Sequence, residues 1–494
     1  MQAFTDGLNA EWHVLNGDAT MERIENRTFD ELKIGDSASL MHTLTYKDIL
    51  LFAAMSGDAN PAHVDPAFAK DDMFHRVIAH GMWGGALIST VLGSELPGPG
   101  AIYLGQSLQF RRPVGLGDTI TVAVRVAEKN TEMHRITLDC EAKNQKGETV
   151  ITGTAEVIAP TEKISRLRVV LPEFELRERG RGYRLLIEQT SGLQPIRTAV
   201  VHPVDSVSLI AAIEAGREGL IVPVLVGPEH KIRAAAEMAK LDLASYEVVP
   251  TEHSAAAANR AVALARAGQV SALMKGALHT DELMHAVVDA ANGLRTARRI
   301  SHVFAMDAPA YPRPLFITDA AINMYPTLED KRDIVQNAID LVRALRQMLN
   351  RDTLELPRVA ILSAVETVTE KLKSTLDAAA LCKMADRGQI TGGILDGPLA
   401  FDNAVSEEAA KTKGIVSPVA GKADIFVVPD LEAGNMLAKQ LEYLGEAGAA
   451  GIVLGARVPI ILTSRADNTL TRLGSCAMAQ LLVHHQQSTK VSAL

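Results

Sequence analysis

The sequence predicts an α+β N-terminal domain followed by a large α/β domain with a mostly parallel sheet and a cleft. Two patterns carry that expectation. First, a small-residue apolar helix, MWGGALISTVLGSEL, is followed by three alternating segments, ITVAVRVAE, HRITLDCEAKN and TVITGTAEVIA. Alternation and β-branched residues mark these as strands, and one helix ahead of antiparallel strands fits a sheet wrapped on a helix. Second, from Arg197 onward the apolar runs TAVVHP, LIVPVLVG, VSALMKG, ISHVFAM, PLFITDA, RVAILSA and ADIFVVP alternate with helical periodicity. That is the pattern of a buried sheet with helices on both faces. At 494 residues the chain is too long for one typical domain. The expected division is 1–160, a linker over 161–184, and 185–494, the last large enough to carry a cleft between halves.

Taken in order, residues 1–30 read as a lead-in. Their start, MQAFTDGLNAEWH, has neither the basic nor the apolar region of a signal peptide. Thr45 to Met55 reads as an amphipathic helix that runs into a Pro-punctuated stretch. Prolines 61 and 66 fix their own φ and push their predecessors out of the helical region, so Asp58 and His63 are expected on an irregular loop. The many Gly and Ala residues of the next helix cost helix propensity, which is tolerable if other segments wrap it tightly. GPG at 98–100 reads as a turn, not a dinucleotide fingerprint. Gln145 to Glu148 reads as a hairpin turn. In 161–184 charges of both signs alternate and Gly180 and Gly182 interrupt. A solvated linker is favoured there over a basic patch on a ligand's phosphates.

Composition excludes several classes. Net charge is −9 with no long basic block, and aromatics are 4%, so nucleic-acid binding is not expected. No apolar run reaches spanning length, so no membrane helix is expected. Three widely spaced cysteines, Cys140, Cys382 and Cys476, fit a reducing cytoplasm rather than a disulfide framework.

The densest chemistry lies in SGDANPAHVDPAFAKDDMFHRVIAHGM, Ser56 to Met82. A carboxylate (Asp58) and an imidazole (His63) beside a helix N-terminus form a candidate acid/base pair with an anion site. Either residue alone reads more simply as a turn cap or a loop histidine. The whole string, D-x-N-P-x-H followed by H-G-M, resembles the MaoC-like (R)-specific enoyl-CoA hydratases of the hotdog fold. GQSLQFRRPVGLGD, Gly105 to Asp118, is also similar to that family, and the resemblance covers roughly 30–160. It implies Asp58 and His63 as the pair that deprotonates water and returns a proton. It implies the backbone N–H near Gly81 as the group that polarises the thioester, and Asn60 and His80 as substrate-binding.

In the second half, residues at strand ends stand out: Lys275-Gly276, Thr318-Asp319, Asp396-Gly397-Pro398, Pro429 to Asn435, and Thr463 to Asp467. Ligands of open α/β sheets bind beyond the carboxyl ends of strands. Each of these residues alone reads as an ordinary cap or turn; five together are harder to dismiss. MKGALHTD, SHVFAMD, FITDAAIN, ILDGPLAFDNA, PDLEAGN and VPIILTSRADN resemble the phosphate acetyl/butyryltransferases, over roughly 185–490. The resemblance implies Ser464 and Arg465 as the catalytic pair, with Asp319, Asn435 and Asp467 binding substrate. It departs at two places. Thr471 stands where acetyl-specific members carry a thiol base, which leaves Asp467 as candidate replacement. Tyr443 stands at or beside an expected Arg. SRADN is more similar to the butyryl-type branch, so propionyl or butyryl groups are expected to be accepted at least as well as acetyl.

The expectation is a fused enzyme that hydrates trans-2-enoyl-CoA and transfers acyl groups between CoA and phosphate. CoA thioesters and phosphate are its substrates; no bound cofactor is needed, and no HExxH or CxxC pattern suggests a metal. The alternative is a hydratase with a non-catalytic CoA-binding or assembly module at its C-terminus. Hotdog sheets have edges that pair with another copy, so a homo-oligomer, a dimer or larger, is expected.

Overall fold

A computed structural model describes residues 23–169, 180–349, 355–462 and 467–492. The chain divides into two compact units, Met1–Leu176 and Arg177–Leu494. Most of the lead-in, residues 1–22, lies outside the described residues.

The first unit contains β1 (Arg23–Glu25), β2 (Ser37–Thr43), β3 (Ile102–Phe110), β4 (Thr119–Asn130), β5 (Arg135–Lys143), β6 (Thr149–Ile158) and β7 (Ser165–Leu167). Five of these form one antiparallel sheet in the order β2-β4-β5-β6-β3. Period-two alternation does what it predicts. β4 buries Ile120, Val122, Val124 and Val126, and β5 buries Ile136, Leu138, Cys140 and Ala142. These side chains share a core with Trp83, Ile88, Val91 and Leu92 of the central helix, Gly81–Ser94. The glycines of that helix are used for close approach. A Cβ on Gly84 would lie 2.3 Å from Ile151 Cδ1. The expected hairpin turn is present: Gly147 has φ +77, and its N–H donates to Asn144 O at 2.9 Å.

The second unit contains β8 (Ile196–Val201), β9 (Ile221–Gly227), β10 (Glu247–Pro250), β11 (Ala272–Lys275), β12 (Ser301–Asp307), β13 (Leu315–Thr318), β14 (Arg358–Leu362), β15 (Ile394–Leu399), β16 (Ile425–Val427), β17 (Gly448–Leu454) and β18 (Ile460–Ile461). They form one sheet in the order β10-β9-β8-β11-β18-β17-β12-β13-β16-β14-β15. Seven neighbouring pairs are parallel, as the continuous apolar runs predict. Three are antiparallel, β18-β17, β17-β12 and β12-β13. Consequently β10, β9, β8, β11 and β18 all run one way, and β13, β16, β14 and β15 all run the other. The strand ends that the sequence groups together fall into two sets at opposite ends of the sheet. Lys275 and Leu462 belong to one set; Thr318, Leu399 and Val427 belong to the other.

The stretch expected as a linker, 161–184, is structured at both ends. β7 pairs with β1, and Asn26 bonds to this segment at Glu162 O (2.8 Å) and Ile164 N (2.9 Å). At the far end a helix runs from Arg181 to Glu188. Its Tyr183 is buried in the second core, where its hydroxyl donates to Ala305 O at 2.6 Å and accepts from Ala450 N at 2.9 Å. Residues 170–179 lie outside the described residues. Ending a fragment at 160 would therefore remove β7 and the Asn26 bonds. Fragments 1–176 and 177–494 are expected to fold separately. By circular dichroism, 1–176 should melt higher than 1–160 by roughly 5 °C, the effect of about 2 kcal/mol of lost hydrogen bonds in a domain of this size. Equal melting temperatures would show the ribbon to be dispensable.

His302 on β12 is fully buried between Phe304 and Gly451, with neither ring nitrogen hydrogen-bonded. Desolvation pushes its pKa down from 6.5 to about 3. The unfolded chain then binds more protons between these two values, so stability falls as pH drops from 6.5 toward 3. At pH 5 the loss from this group is about 2 kcal/mol. His302→Leu is expected to flatten the pH dependence of the melting temperature of fragment 177–494 between pH 5 and 7; an unchanged slope would assign the pH dependence to other groups.

Candidate functional sites

The chemistry of the first unit is built by three successive caps. The helix Tyr46–Ser56 ends at Gly57, whose left-handed φ of +77 redirects the chain into Asp58. Asn60 then caps a short helical turn, Pro61–Val64, by accepting from Ala62 N at 3.1 Å. His63 rides on that turn, so only Asp58 occupies irregular loop. Asn60, expected as a substrate-binding residue, is exposed and its side-chain oxygen is engaged in this cap. Finally His80 precedes the first residue of the central helix, Gly81.

These caps bring Asp58, His63 and His80 together: a carboxylate oxygen and one ring nitrogen from each histidine lie within 4.8 Å of one another. The two imidazoles pack with centroids 4.0 Å apart. His63 Nδ1–H donates to the carbonyl of Ile78 at 2.9 Å, which leaves Nε2 with its lone pair. His80 Nε2–H donates to the backbone carbonyl of Asp58 at 3.0 Å and so ties the acid's loop to the helix start. Asp58 itself is exposed; its Oδ1 accepts from Asn60 N at 3.2 Å. Gly81 at the first helical position has an N–H that the helix does not use, at the partially positive end of the dipole. A basic imidazole, a carboxylate and a free N–H donor are the parts needed to move a proton from water and stabilise an oxyanion. Sequence reading missed Ile78, whose carbonyl sets the His63 tautomer. A main-chain acceptor leaves no mark in the residue types.

In the second unit, Ser464 and Arg465 lie outside the described residues. Asp319 is buried, and burial pushes its pKa up. Its carboxylate holds its own turn, accepting from Ala321 N (2.9 Å), Ile322 N (3.0 Å) and Asn323 Nδ2 (2.6 Å). Asn435, in the first turns of the helix Leu431–Tyr443, donates to Ala320 O at 3.3 Å, so Asp319 and Asn435 are neighbours. The charge of Asp467 acts instead on Lys439, further along that helix, and on Tyr183. Thr471 is buried, with its N–H donating to Asn468 Oδ1 at 2.9 Å. Tyr443 is exposed at the end of the helix. Burial pushes the Cys382 and Cys476 thiols up to about 12, so neither is a ready nucleophile. Among the described residues no helix is long and apolar enough to cross a membrane.

An antiparallel sheet wrapped on one helix, with an acid and imidazoles gathered at that helix's start, defines a hotdog acid/base unit. Joined to it is an α/β unit built on a mixed, mostly parallel sheet. Comparison with known proteins agrees with both. A family model described as MaoC like domain matches residues 34–147, and one described as Phosphate acetyl/butaryl transferase matches 254–480. The phosphate acetyltransferase of Rhizobium meliloti is 62% identical over 312 residues, 63% of this chain and 96% of its own length. The structure of a branched-chain phosphotransacylase from Enterococcus faecalis V583 is 30% identical with TM-score 0.51, covering 59% of this chain and 99% of its own. The structure of R-hydratase PhaJ1 from Pseudomonas aeruginosa is 43% identical with TM-score 0.31, covering 31% of this chain and 99% of its own. The chain belongs to the phosphate acetyl/butyryltransferase family and carries a MaoC-like domain ahead of that part.

Proposed function

We propose that the chain is a bifunctional acyl-CoA enzyme: it hydrates trans-2-enoyl-CoA reversibly to (R)-3-hydroxyacyl-CoA, and it transfers acyl groups between CoA and phosphate. The observation that carries the first activity is the Asp58–His63 cluster beside Gly81, inside the span matched as MaoC like. His63 Nε2 and Asp58 hold a water and take one of its protons while the oxygen bonds to C3. The C2=C3 electrons move toward the thioester, whose oxygen gathers charge at the Gly81 N–H. A proton returned to C2 completes the addition.

The second activity is supported by the identity to the Rhizobium meliloti phosphate acetyltransferase. Thiolate attack on an acyl phosphate breaks the acyl–oxygen bond and releases phosphate. Ser464 donates to the developing oxyanion, and Arg465 offsets the repulsion between two anions. Asp467 is the proposed thiol base, since Thr471 has no proton acceptor of suitable basicity. The same relative supports acetyl-CoA as a substrate, whereas the SRADN string supports longer acyl groups; kcat/KM on acetyl-, propionyl- and butyryl-CoA decides between them. A non-catalytic second module is not favoured at this level of identity. CoA thioesters and phosphate are proposed as the only small molecules required. A homo-oligomer is proposed through β3, an edge strand with Ile102, Leu104 and Phe110 exposed.

The test is an assay of the purified chain on crotonyl-CoA alone, then on saturated acyl-CoA with phosphate. Arg465→Lys keeps the charge but loses the planar fork, and is expected to lower acyl-phosphate formation about tenfold or more, for one bidentate contact worth about 1.5–3 kcal/mol. Full activity in that variant would remove Arg465 from the site. Failure of the wild-type chain in either assay would remove that activity from the proposal.

A further inference from the structure

We propose that Asp58, His63 and His80 also form a binding site for a divalent transition-metal ion of the zinc type, and that its occupation blocks hydration. The ligand set is two imidazoles and one carboxylate, their donor atoms within 4.8 Å of one another. Such a set leaves coordination positions open and suits Zn²⁺, Co²⁺ or Ni²⁺; Mg²⁺ and Ca²⁺ require oxygen ligands.

The outer shell is already in place. A metal-binding histidine typically donates its other ring N–H to a carbonyl or carboxylate, which fixes the tautomer and raises basicity. Both histidines do so here, His63 to Ile78 O at 2.9 Å and His80 to Asp58 O at 3.0 Å. Each therefore keeps one unprotonated nitrogen, the form a metal needs. His80 is 3% exposed, and its Nδ1 is buried without any hydrogen-bond partner. An orphaned lone pair of this kind is costly unless something occupies it. Ligand bonds of about 2.0–2.2 Å would require the donors to draw together by roughly 1 Å. Asp58, on exposed loop after Gly57, is the residue free to make that movement.

The consequence rests on the reading of His63 and Asp58 as the hydration pair. A metal would take the lone pairs that otherwise receive the proton of water, so a metal-loaded site and a working site exclude each other. The ion is then an inhibitor and not a cofactor.

The full chain, stripped with a chelator, is titrated with Co²⁺ and followed by visible d–d absorption, then with Zn²⁺. One Co²⁺ per chain is expected, displaced by Zn²⁺. Its absorption should disappear in His63→Gln and His80→Gln. Asp58→Asn, at an exposed position that spares the core, should weaken Co²⁺ binding tenfold or more. Zn²⁺ should lower crotonyl-CoA hydration at least tenfold, with recovery on adding EDTA and no effect of millimolar Mg²⁺. Absence of the Co²⁺ band, or a band unchanged in all three variants, overturns the site. Co²⁺ bound there with hydration unaffected by Zn²⁺ overturns the inhibition. Because the metal titration involves no turnover, a chain that binds Co²⁺ as described but never hydrates crotonyl-CoA would sink the hydratase reading and leave the site standing.

Discussion

Asp58→Asn is expected to lower hydration of crotonyl-CoA by about 10²–10⁴ and to leave acyl transfer to phosphate unchanged. The amide keeps the shape of the side chain but cannot accept a proton. Its oxygen can still take the bond from Asn60 N, and the bond from His80 goes to the backbone carbonyl, which the substitution does not touch. Melting temperature should therefore hold. Asp58 lies in the first unit, whereas Ser464 and Arg465 belong to the sequence of the second. Loss of both activities at constant stability would mean that the two reactions share a site.

Lys331→Met is expected to destabilise the second unit by about 3 kcal/mol, at the lower end of what breaking a buried ion pair costs. Lys331 Nζ lies 2.8 Å from Asp377 Oδ2, with the two side chains only 6% and 9% exposed. Burial alone would push the Asp377 pKa up, but its bonds to Lys331 and Lys373 outweigh that and hold it below the usual range. Without Lys331 the buried carboxylate keeps only Lys373, at 3.0 Å and largely exposed. That remaining partner is why the lower figure is expected. A fall of roughly 4–5 °C in the melting temperature of fragment 177–494 would report it. Asp377→Leu added to Lys331→Met should recover most of the loss, because no charge is then left buried. A double variant no better than the single would show that the cost came from packing.

The first unit was legible where residue types carry local physics. Alternation gave β4, β5 and β6, and Gly-rich sequence marked the central helix as one wrapped by strands. Asp58, His63 and Gly81 stand in one short string, and the structure gathers the two side chains with His80. The cap made by Asn60 went unread because a short polar side chain before a proline serves a helix start as readily as a ligand. β7 was hidden for another reason: a three-residue strand has no period to read, and its partner β1 lies 144 residues away at Arg23↔Leu167 and 140 away at Glu25↔Ser165. In the second unit the strands were visible, but their directions were not. ISHVFAM and PLFITDA look alike as apolar runs, yet β12 and β13 are antiparallel. That reversal turns the carboxyl end of β13, before Asp319, away from the carboxyl ends of β11 and β18.

The β1–β7 ribbon sets a timetable for synthesis. β1 is made early, but its only pairing partner in the ribbon is β7. At about 5–20 residues per second the intervening chain takes roughly 7–30 s to make. During that time the five-stranded sheet has all its strands delivered, β6 ending at Ile158, while the edge of β1 waits. β7 is translated before β8 begins at Ile196. The ribbon's two strands are thus both made while most of the sheet of the second module has still to be translated.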